Sequence, residues 1–423
     1  MVANRIDNKR SGKENEMKKW KSVVVIWMIA TVFLGTFPTP FCAYGQETPE
    51  NLYAGSAVLM DGDTGRVLYG KAEEEIRPMA STTKIMTCIL ALEMGDGQES
   101  VSFSSKAASQ PEVHLGAKKG ETFYLKDLLY SLMLESHNDT AVAVAEKIGG
   151  TVEEFCRWMN EKAREIGCEN TCFLTPNGLD GAETKENGTK LVHSTTAADL
   201  AKIMAYCVWK SPKRNEFLEI TRTRNYSFSN LENSRVYSCY NHNAYLEMDG
   251  DAIYGKTGFT GGAGYCYVAA IESEGRHFTM ALLGCGWPPH KTYKWSDMRK
   301  LAAYGREHFH KESLDQEIQL PGIPVTGGIA DSGDPAETVS VPVMVSGTLM
   351  DSKVLLGDGE QVQVRKKLEK LLAAPVKKGQ KVGEITYQIG DWVVERVPVA
   401  ASMDISAYTY SWCFRRVVTD FFQ

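Results

Sequence analysis

The apolar positions change period several times along this chain, and each change predicts an element. Ala54 to Met60 is a short apolar strand, Asp61-Gly62-Asp63-Thr64-Gly65 a turn and Arg66 to Tyr69 the returning strand, the pattern of a β-hairpin. After Arg77-Pro78 a helix begins near Ser81 and continues to Met94, its second half apolar almost all round. Such a helix belongs in a core. Leu128, Leu129, Leu132 and Met133 recur at helical spacing between Leu125 and Leu134, and another apolar helix covers Thr140 to Ala145. An amphipathic helix from Thr151 to Ile166 stops at Gly167, residues 175–181 form a turn-rich loop, and Thr195 to Trp209 is helical again. The pattern then turns to strands at Gly250 to Thr257, Tyr265 to Ile271 and His277 to Leu283. A helical block between strands that must pair across it predicts an α+β domain, helices packed on an antiparallel sheet.

Composition shifts around Phe309 to Gly322. Beyond Glu337 come short Val-rich strands: Val339 to Val345, Val354 to Leu356, Val362 to Val364, Gly383 to Ile389 and Trp392 to Val399. They predict a small β-sandwich. Between Ile405 and Phe422, Trp412, Phe414, Val417, Val418, Phe421 and Phe422 mark one apolar side. This reads as an amphipathic helix lying at a membrane surface, or else docked on the β-domain.

At the other end, Lys18, Lys19 and Lys21 precede an apolar run from Val23 to Leu34, with Ala43-Tyr44-Gly45 beyond. This is the layout of a secretory signal peptide cleaved after Gly45. The polar residues 1–16 are unusual ahead of such a segment, and Met17 is the more natural start. Bulky Phe41 before Cys42 argues against a lipoprotein anchor. The domain plan is thus a signal segment at 1–45, a main domain at 46–312, a β-rich domain at 313–401 and an anchoring helix at 402–423.

The formal charge of −6 comes with no basic, aromatic-interleaved run, so nucleic acid is not expected as a partner. Ten cysteines are spread without zinc-ligand spacing. Export permits disulfides, but buried thiols are the default expectation. No cofactor and no metal is expected.

The candidate chemistry lies in three short motifs. Ser81 and Lys84 stand three apart at a helix start and share one face. A serine hydroxyl needs an adjacent base, and a lysine serves when burial or a second cation keeps it neutral. In Ser136-His137-Asn138, Ser136 can relay a proton to a leaving nitrogen, and the Asn138 amide can hold both Lys84 and a substrate backbone. In Lys256-Thr257-Gly258, the lysine brings a fixed charge for a carboxylate, Thr257 a hydroxyl, and Gly258 room for a substrate strand against the sheet edge. The backbone N–H groups of Ser81 and Phe259 would form an oxyanion hole. Each motif alone is common. In this order, on these elements, they form the set used for acyl transfer by serine β-lactamases and penicillin-binding proteins.

On these residues the chain resembles the low-molecular-weight penicillin-binding proteins, serine-type D-Ala-D-Ala carboxypeptidases of the bacterial cell wall. The resemblance covers about Ala54 to Ala401 and includes Asp127-Leu128-Leu129-Tyr130, Pro176-Asn177-Gly178-Leu179-Asp180, Phe259-Thr260 and Lys378-Gly379-Gln380-Lys381-Val382-Gly383. It implies a β-lactamase/transpeptidase-like fold. It also implies removal of the terminal D-alanine from peptidoglycan stem peptides through a Ser81 ester, and acylation of the same serine by β-lactams. His137 and Asn177 depart from the family's usual residues, without touching an essential motif position. His137 is expected to line the cleft or face solvent, and His193 to be structural. Two rival readings stand beside this one. A serine β-lactamase would need a deacylating glutamate, for which Glu169 and Glu183 are candidates outside any Glu-x-x-Leu-Asn pattern. A silent wall-binding scaffold would keep the fold without turnover.

Overall fold

The computed structural model describes residues 49–314, 318–330, 332–334, 337–347 and 353–422. The signal-segment and start-site expectations lie outside the described residues. An antiparallel sheet of five strands stands at the centre: β1 (Ser56–Asp61), β2 (Val67–Lys71), β5 (Ala252–Thr260), β6 (Gly264–Ser273) and β7 (Arg276–Leu283), in the order β2-β1-β7-β6-β5. β1 and β2 form the expected hairpin, and β1 pairs with β7, more than two hundred residues on, from Ser56↔Leu283 to Asp61↔Phe278.

Both faces of this sheet are covered, so its inner strands read as continuous apolar runs rather than alternating ones. On one face Val58, Met60, Val268, Ala270, Ala281 and Leu283 meet the helical block. That block comprises α1 (Lys84–Met94), α2 (Leu125–Tyr130), α3 (Asn138–Gly149), α4 (Val152–Ile166), α5 (Ala197–Ala205) and α6 (Arg214–Arg222). α1 is buried from Lys84 to Ala91, as its all-round apolar pattern requires. α4 has the expected ends: Thr151 Oγ1 accepts from the Glu154 N–H, and Gly167 closes the helix at φ +89°, a conformation glycine adopts freely. On the other face Ala57, Leu59, Tyr267, Ala269, Phe278 and Met280 pack against α7 (Tyr293–His308) through Met298, Leu301 and Ala302. Neither α7 nor the hairpin β3 (Asn225–Ser229) and β4 (Val236–Tyr240) follows from the apolar pattern. α7 buries Lys294 and Asp297 along with its apolar residues.

The C-terminal strands are β8 (Phe309–Ser313), β9 (Ile323–Thr326), β10 (Val339–Val341), β11 (Val343–Val345), β12 (Lys353–Gly357), β13 (Val362–Leu368), β14 (Leu372–Ala373), β15 (Lys381–Ile389) and β16 (Trp392–Ala401). They form sheets ordered β11-β16-β15-β13, β10-β9-β14 and β8-β12, which share one core around Val341, Val354, Ile385 and Val399. The single strand expected from Val339 to Val345 is two strands in different sheets. Pro342 lies between them, lacks an N–H for the ladder, and so ends the pairing. The boundary expected at 312/313 falls inside β8.

The tail is shorter than expected. Residues 402–408 belong to the β-domain: Ser402 N–H donates to Pro342 O, Ile405 and Val376 exchange two backbone bonds, and Tyr408 N–H donates to Gly327 O. The helix α8 is Tyr410–Phe421, capped by Thr409. Tyr410, Phe414, Val417, Phe421 and Phe422 are exposed, so its apolar side is not docked on the β-domain. No described helix is long and apolar enough to cross a membrane.

Leu301 is fully buried between α7 and the sheet. Leu301→Ala is expected to lower unfolding free energy by about 2–5 kcal/mol, seen as a lower denaturant midpoint at unchanged slope. A loss under about 1 kcal/mol would mean that α7 is not a structural layer.

Candidate active site

Ser81 stands on a tight turn, Ala80–Thr83, that feeds directly into α1. Side chains hold this turn from within. Thr82 Oγ1 donates to Met79 O (2.6 Å) and Thr83 Oγ1 to Ala80 O (2.8 Å). His193 supports it from behind. Its Nδ1 accepts from the Leu174 and Thr175 N–H groups, so Nε2 carries the proton toward Thr83 Oγ1 at 2.9 Å. Burial lowers the pKa of this imidazole to about 4, so it is neutral and structural, as expected. Ala80 has φ +50°, a strained conformation for a residue with a Cβ. Two glycines let other segments close on it. A Cβ at Gly178 would lie 2.0 Å from Ala80 O, and one at Gly258 would lie 2.9 Å from Ser81 N. The peptide link from Gly258 to Phe259 therefore runs beside the Ser81 amide.

Lys84, one turn on, is fully buried. Its Nζ has three oxygen neighbours: Ser81 Oγ at 2.8 Å, Asn138 Oδ1 at 2.9 Å and Asn177 O at 2.6 Å. Burial drives its pKa well below the usual lysine range, the Lys256 charge lowers it further, and Asp139 opposes them. A neutral amine has two N–H donors and one lone pair. Asn138 and Asn177 offer only acceptors here and take the two donors, so the lone pair is left for the Ser81 proton. The arrangement can generate a serine alkoxide without histidine.

Ser136 closes a wide helical turn, Ser131–Glu135, in the left-handed conformation at φ +67°. Lys256 Nζ donates to Ser136 Oγ (3.0 Å) and to Thr257 O (2.9 Å). Burial lowers the Lys256 pKa to about 7. β5 extends to Thr260, so Lys256, Thr257, Gly258 and Phe259 all lie on it, at the open edge of the sheet. Ser81, Ser136, Lys256, Thr257, Gly258 and Phe259 line one cleft of about 390 Å³.

Some expectations need correction. His137 does not line this cleft. Its Nδ1 lies 2.8 Å from Ser131 Oγ, and burial lowers its pKa to about 4. The Asn138 amide nitrogen is engaged by the carbonyls of Pro111 and Glu112, both at 3.2 Å. It thus fastens the 111–113 segment rather than standing open to a substrate backbone. Asn177 does touch an essential position, because its carbonyl is a Lys84 partner. Its side chain fixes that carbonyl, accepting from Leu179 N–H (3.1 Å) and donating to Gln110 Oε1 (2.9 Å). The turn-rich loop was visible in the sequence, but a backbone acceptor leaves no side-chain signature. Lys294 was missed too. It lines the cleft with its ammonium 4.7 Å from the Tyr265 and Trp295 ring centres. Among the described residues no cluster of His, Cys, Asp and Glu could hold a metal ion.

A family model for D-alanyl-D-alanine carboxypeptidases matches residues 44–285, and a model for the C-terminal domain of penicillin-binding protein 5 matches residues 345–407. The D-alanyl-D-alanine carboxypeptidase DacF of Bacillus subtilis is 29% identical over 416 residues, 96% of this chain and 99% of its own. DacC of Escherichia coli is 26% identical over 421 residues, 90% and 92% of the two chains. The crystal structure of penicillin-binding protein 5 from Haemophilus influenzae superposes with a TM-score of 0.65 at 25% identity, covering 85% of this chain and 99% of that one. A serine 2.8 Å from a buried lysine amine on this fold and these matches agree: the chain belongs to the D-alanyl-D-alanine carboxypeptidase family of serine hydrolases.

Proposed function

We propose that this enzyme removes the terminal D-alanine from peptidoglycan stem peptides ending in D-Ala-D-Ala, through an ester on Ser81. The observation that carries the reading is the buried Lys84 amine 2.8 Å from Ser81 Oγ. Lys84 takes the serine proton as Oγ attacks the penultimate carbonyl. The Ser81 and Phe259 amides receive the developing oxyanion. Ser136, bonded to Lys256, delivers a proton to the departing nitrogen. Lys256 and Thr257 attract the terminal carboxylate, and Gly258 leaves the sheet edge open to the peptide as an added strand. Asn138 acts on the substrate indirectly, by holding Lys84 and the 111–113 segment. β-Lactams, whose strained amide mimics the scissile bond, acylate the same serine. The chain would be exported by its N-terminal segment and held at the outer face of the cytoplasmic membrane by α8. The exposed aromatic residues of α8 would enter the bilayer interface.

The test is fluorescent-penicillin labelling beside D-alanine release from a D-Ala-D-Ala peptide. Ser81→Ala is expected to lose both. Lys84→Arg is expected to fold yet lose labelling by at least about a hundredfold, because arginine stays protonated and cannot act as the base. Labelling that survives Lys84→Arg would remove Lys84 from the base role.

The two lysines must be in opposite states, Lys84 neutral and Lys256 charged. kcat/KM is therefore expected to fall as pH climbs through about 7, where Lys256 becomes neutral. Lys256→Arg keeps the charge at every pH, so its alkaline limb is expected to vanish below pH ~10. An alkaline limb unmoved by that substitution would assign it to another group.

Because 402–408 are part of the β-domain, the membrane test removes only residues 410–423. That variant is expected to stay active and to leave the membrane fraction. Continued sedimentation with vesicles would exclude α8 as the anchor.

A further inference from the structure

Away from the cleft, positive charge gathers at one end of the β-domain. The turn at 377–381 wraps the residues that lead into α8. Val376 and Ile405 exchange backbone bonds, Gly379 N–H donates to Ala401 O, and Ala401 N–H donates to Gln380 O. Lys378 N–H donates to Asp404 Oδ1 at 2.8 Å. Tyr410 follows Asp404 by six residues, so the turn lies within about 20 Å of the start of α8. The turn opens into β15, where Lys367↔Glu384 and Leu368↔Gly383 bring the end of β13 alongside. A groove of about 750 Å³ is lined there by Lys367, Lys370, Lys381, Glu369 and Glu384.

This face is basic in a chain whose formal charge is −6. Lys367, Lys370, Lys377, Lys378 and Lys381 are all exposed. Glu384 is shared between Lys381 (3.6 Å) and Arg396 (3.3 Å), and Asp404 is taken by the Lys378 N–H. Lys367, Lys370, Lys377 and Lys378 make no ion pair among the described residues, and Glu369 is left to oppose them. β13 is the edge strand of its sheet, and a lysine there discourages pairing with another chain. That accounts for Lys367. It does not account for Lys370, Lys377 and Lys378, which lie outside any strand. Crowded ammonium groups without counter-charges repel one another, and an anionic partner relieves that repulsion.

We propose that this end of the β-domain is a second membrane contact, a docking face for anionic phospholipid headgroups that works together with α8. The proposal rests on the reading of α8 as the anchor and gives that anchor a lipid class. α8 has 12 residues, about 18 Å of helix, and one short apolar anchor binds a bilayer reversibly. Firm attachment takes a second signal, for which a polybasic patch serves. Here the two signals are neighbours in space. When Tyr410, Phe414 and Phe421 enter the interface, the turn carrying Lys377 and Lys378 comes down on the headgroups. There the negative surface potential of anionic lipid acts over about 8 Å at physiological salt. Phosphate oxygens supply the counter-charges that the lysines lack within the chain, as charge-assisted hydrogen bonds. With two contacts the β-domain stands on the bilayer at one tilt.

The test is cosedimentation of the full chain with vesicles of phosphatidylcholine alone or with about one-third phosphatidylglycerol, at low and at physiological salt. One variant combines Lys367→Gln, Lys370→Gln, Lys377→Gln and Lys378→Gln; another lacks residues 410–423. Penicillin labelling in solution, expected unchanged, checks that each is folded. Should the fourfold variant fail that check, Lys377→Gln with Lys378→Gln is read in its place. The parent is expected to bind anionic vesicles at least about tenfold more tightly than neutral ones, a preference that shrinks as salt rises. The lysine variant is expected to lose that preference and to keep the parent's binding to neutral vesicles. A parent indifferent to lipid charge overturns the proposal and leaves α8 standing as the anchor. A preference that survives the lysine substitutions overturns the assignment to this face, as does an equal loss of binding to both kinds of vesicle. Retention of the parent on immobilised polyphosphate, with no preference among vesicles, assigns the face to a soluble phosphate polymer and overturns the lipid partner. Neutral-vesicle binding by the chain lacking 410–423 overturns the anchor reading itself.

Discussion

The site depends on keeping one amine dry. A lysine ammonium removed from water costs several kcal/mol unless its hydrogen bonds and charge are met, and Lys84 meets three oxygens but no adjacent carboxylate. Asp139, the nearby acid, is already committed. Its two oxygens accept from the Leu115 and Gly116 N–H groups at 2.8 and 2.9 Å. With no anion to hold the proton and Lys256 repelling it, losing the proton is the cheaper way to fold. The resulting lone pair points where the remaining neighbour lies, at Ser81 Oγ. A free lone pair beside Ser81 follows from the same burial that makes α1 a core helix.

That requirement explains why so many separate segments converge on one turn. Lys84 is enclosed by α1 itself, by Asn138 at the start of α3 and by the loop at Asn177, while β5 closes the outer side through Gly258. Gly178 and Gly258 close on the Ala80–Ser81 backbone, where a Cβ would have no room. Left-handed residues stand at both ends of the constellation, Ala80 and Ser136. Strain of this kind persists only where surrounding contacts over-determine it. The hydrogen bonds of Thr82, Thr83 and His193 on one side and of Lys256 on the other provide that support.

What could be read in the sequence follows what local pattern encodes. β1, α1 and the strands β6 and β7 are legible because nearly all their residues are buried, and α4 because its apolar residues recur at helical spacing between clear end signals. α7 is not, since its buried face mixes Met298, Leu301 and Ala302 with Lys294, Asp297, Tyr304 and Gly305, which breaks the apolar period. The break at Pro342 could be missed because each half of Val339 to Val345 is a good strand by itself. Only pairing partners reveal that they belong to different sheets. Within the site, Ser81, Lys84, Ser136, Asn138 and Lys256 come together as their spacing and chemistry suggested. Asn177 was legible as a turn but not as a ligand of Lys84, since it acts through its carbonyl. Lys294 arrives from the far side of the fold, and nothing in its neighbours announces it.

The same geometry decides which half of a substrate is tightly confined. On the acyl side Asn177 is tied to Gln110, and Gly178 lies against Ala80 with no room for a Cβ, so a peptide there has little freedom beyond pairing with the edge of β5. On the Ser136 side the walls are Ser136, Glu135 and the 241–243 segment, which Glu135 ties together through Tyr240 N–H and His242 and which bound the open cleft. A backbone cradle on one side and side-chain walls on the other give the site two halves of unequal freedom.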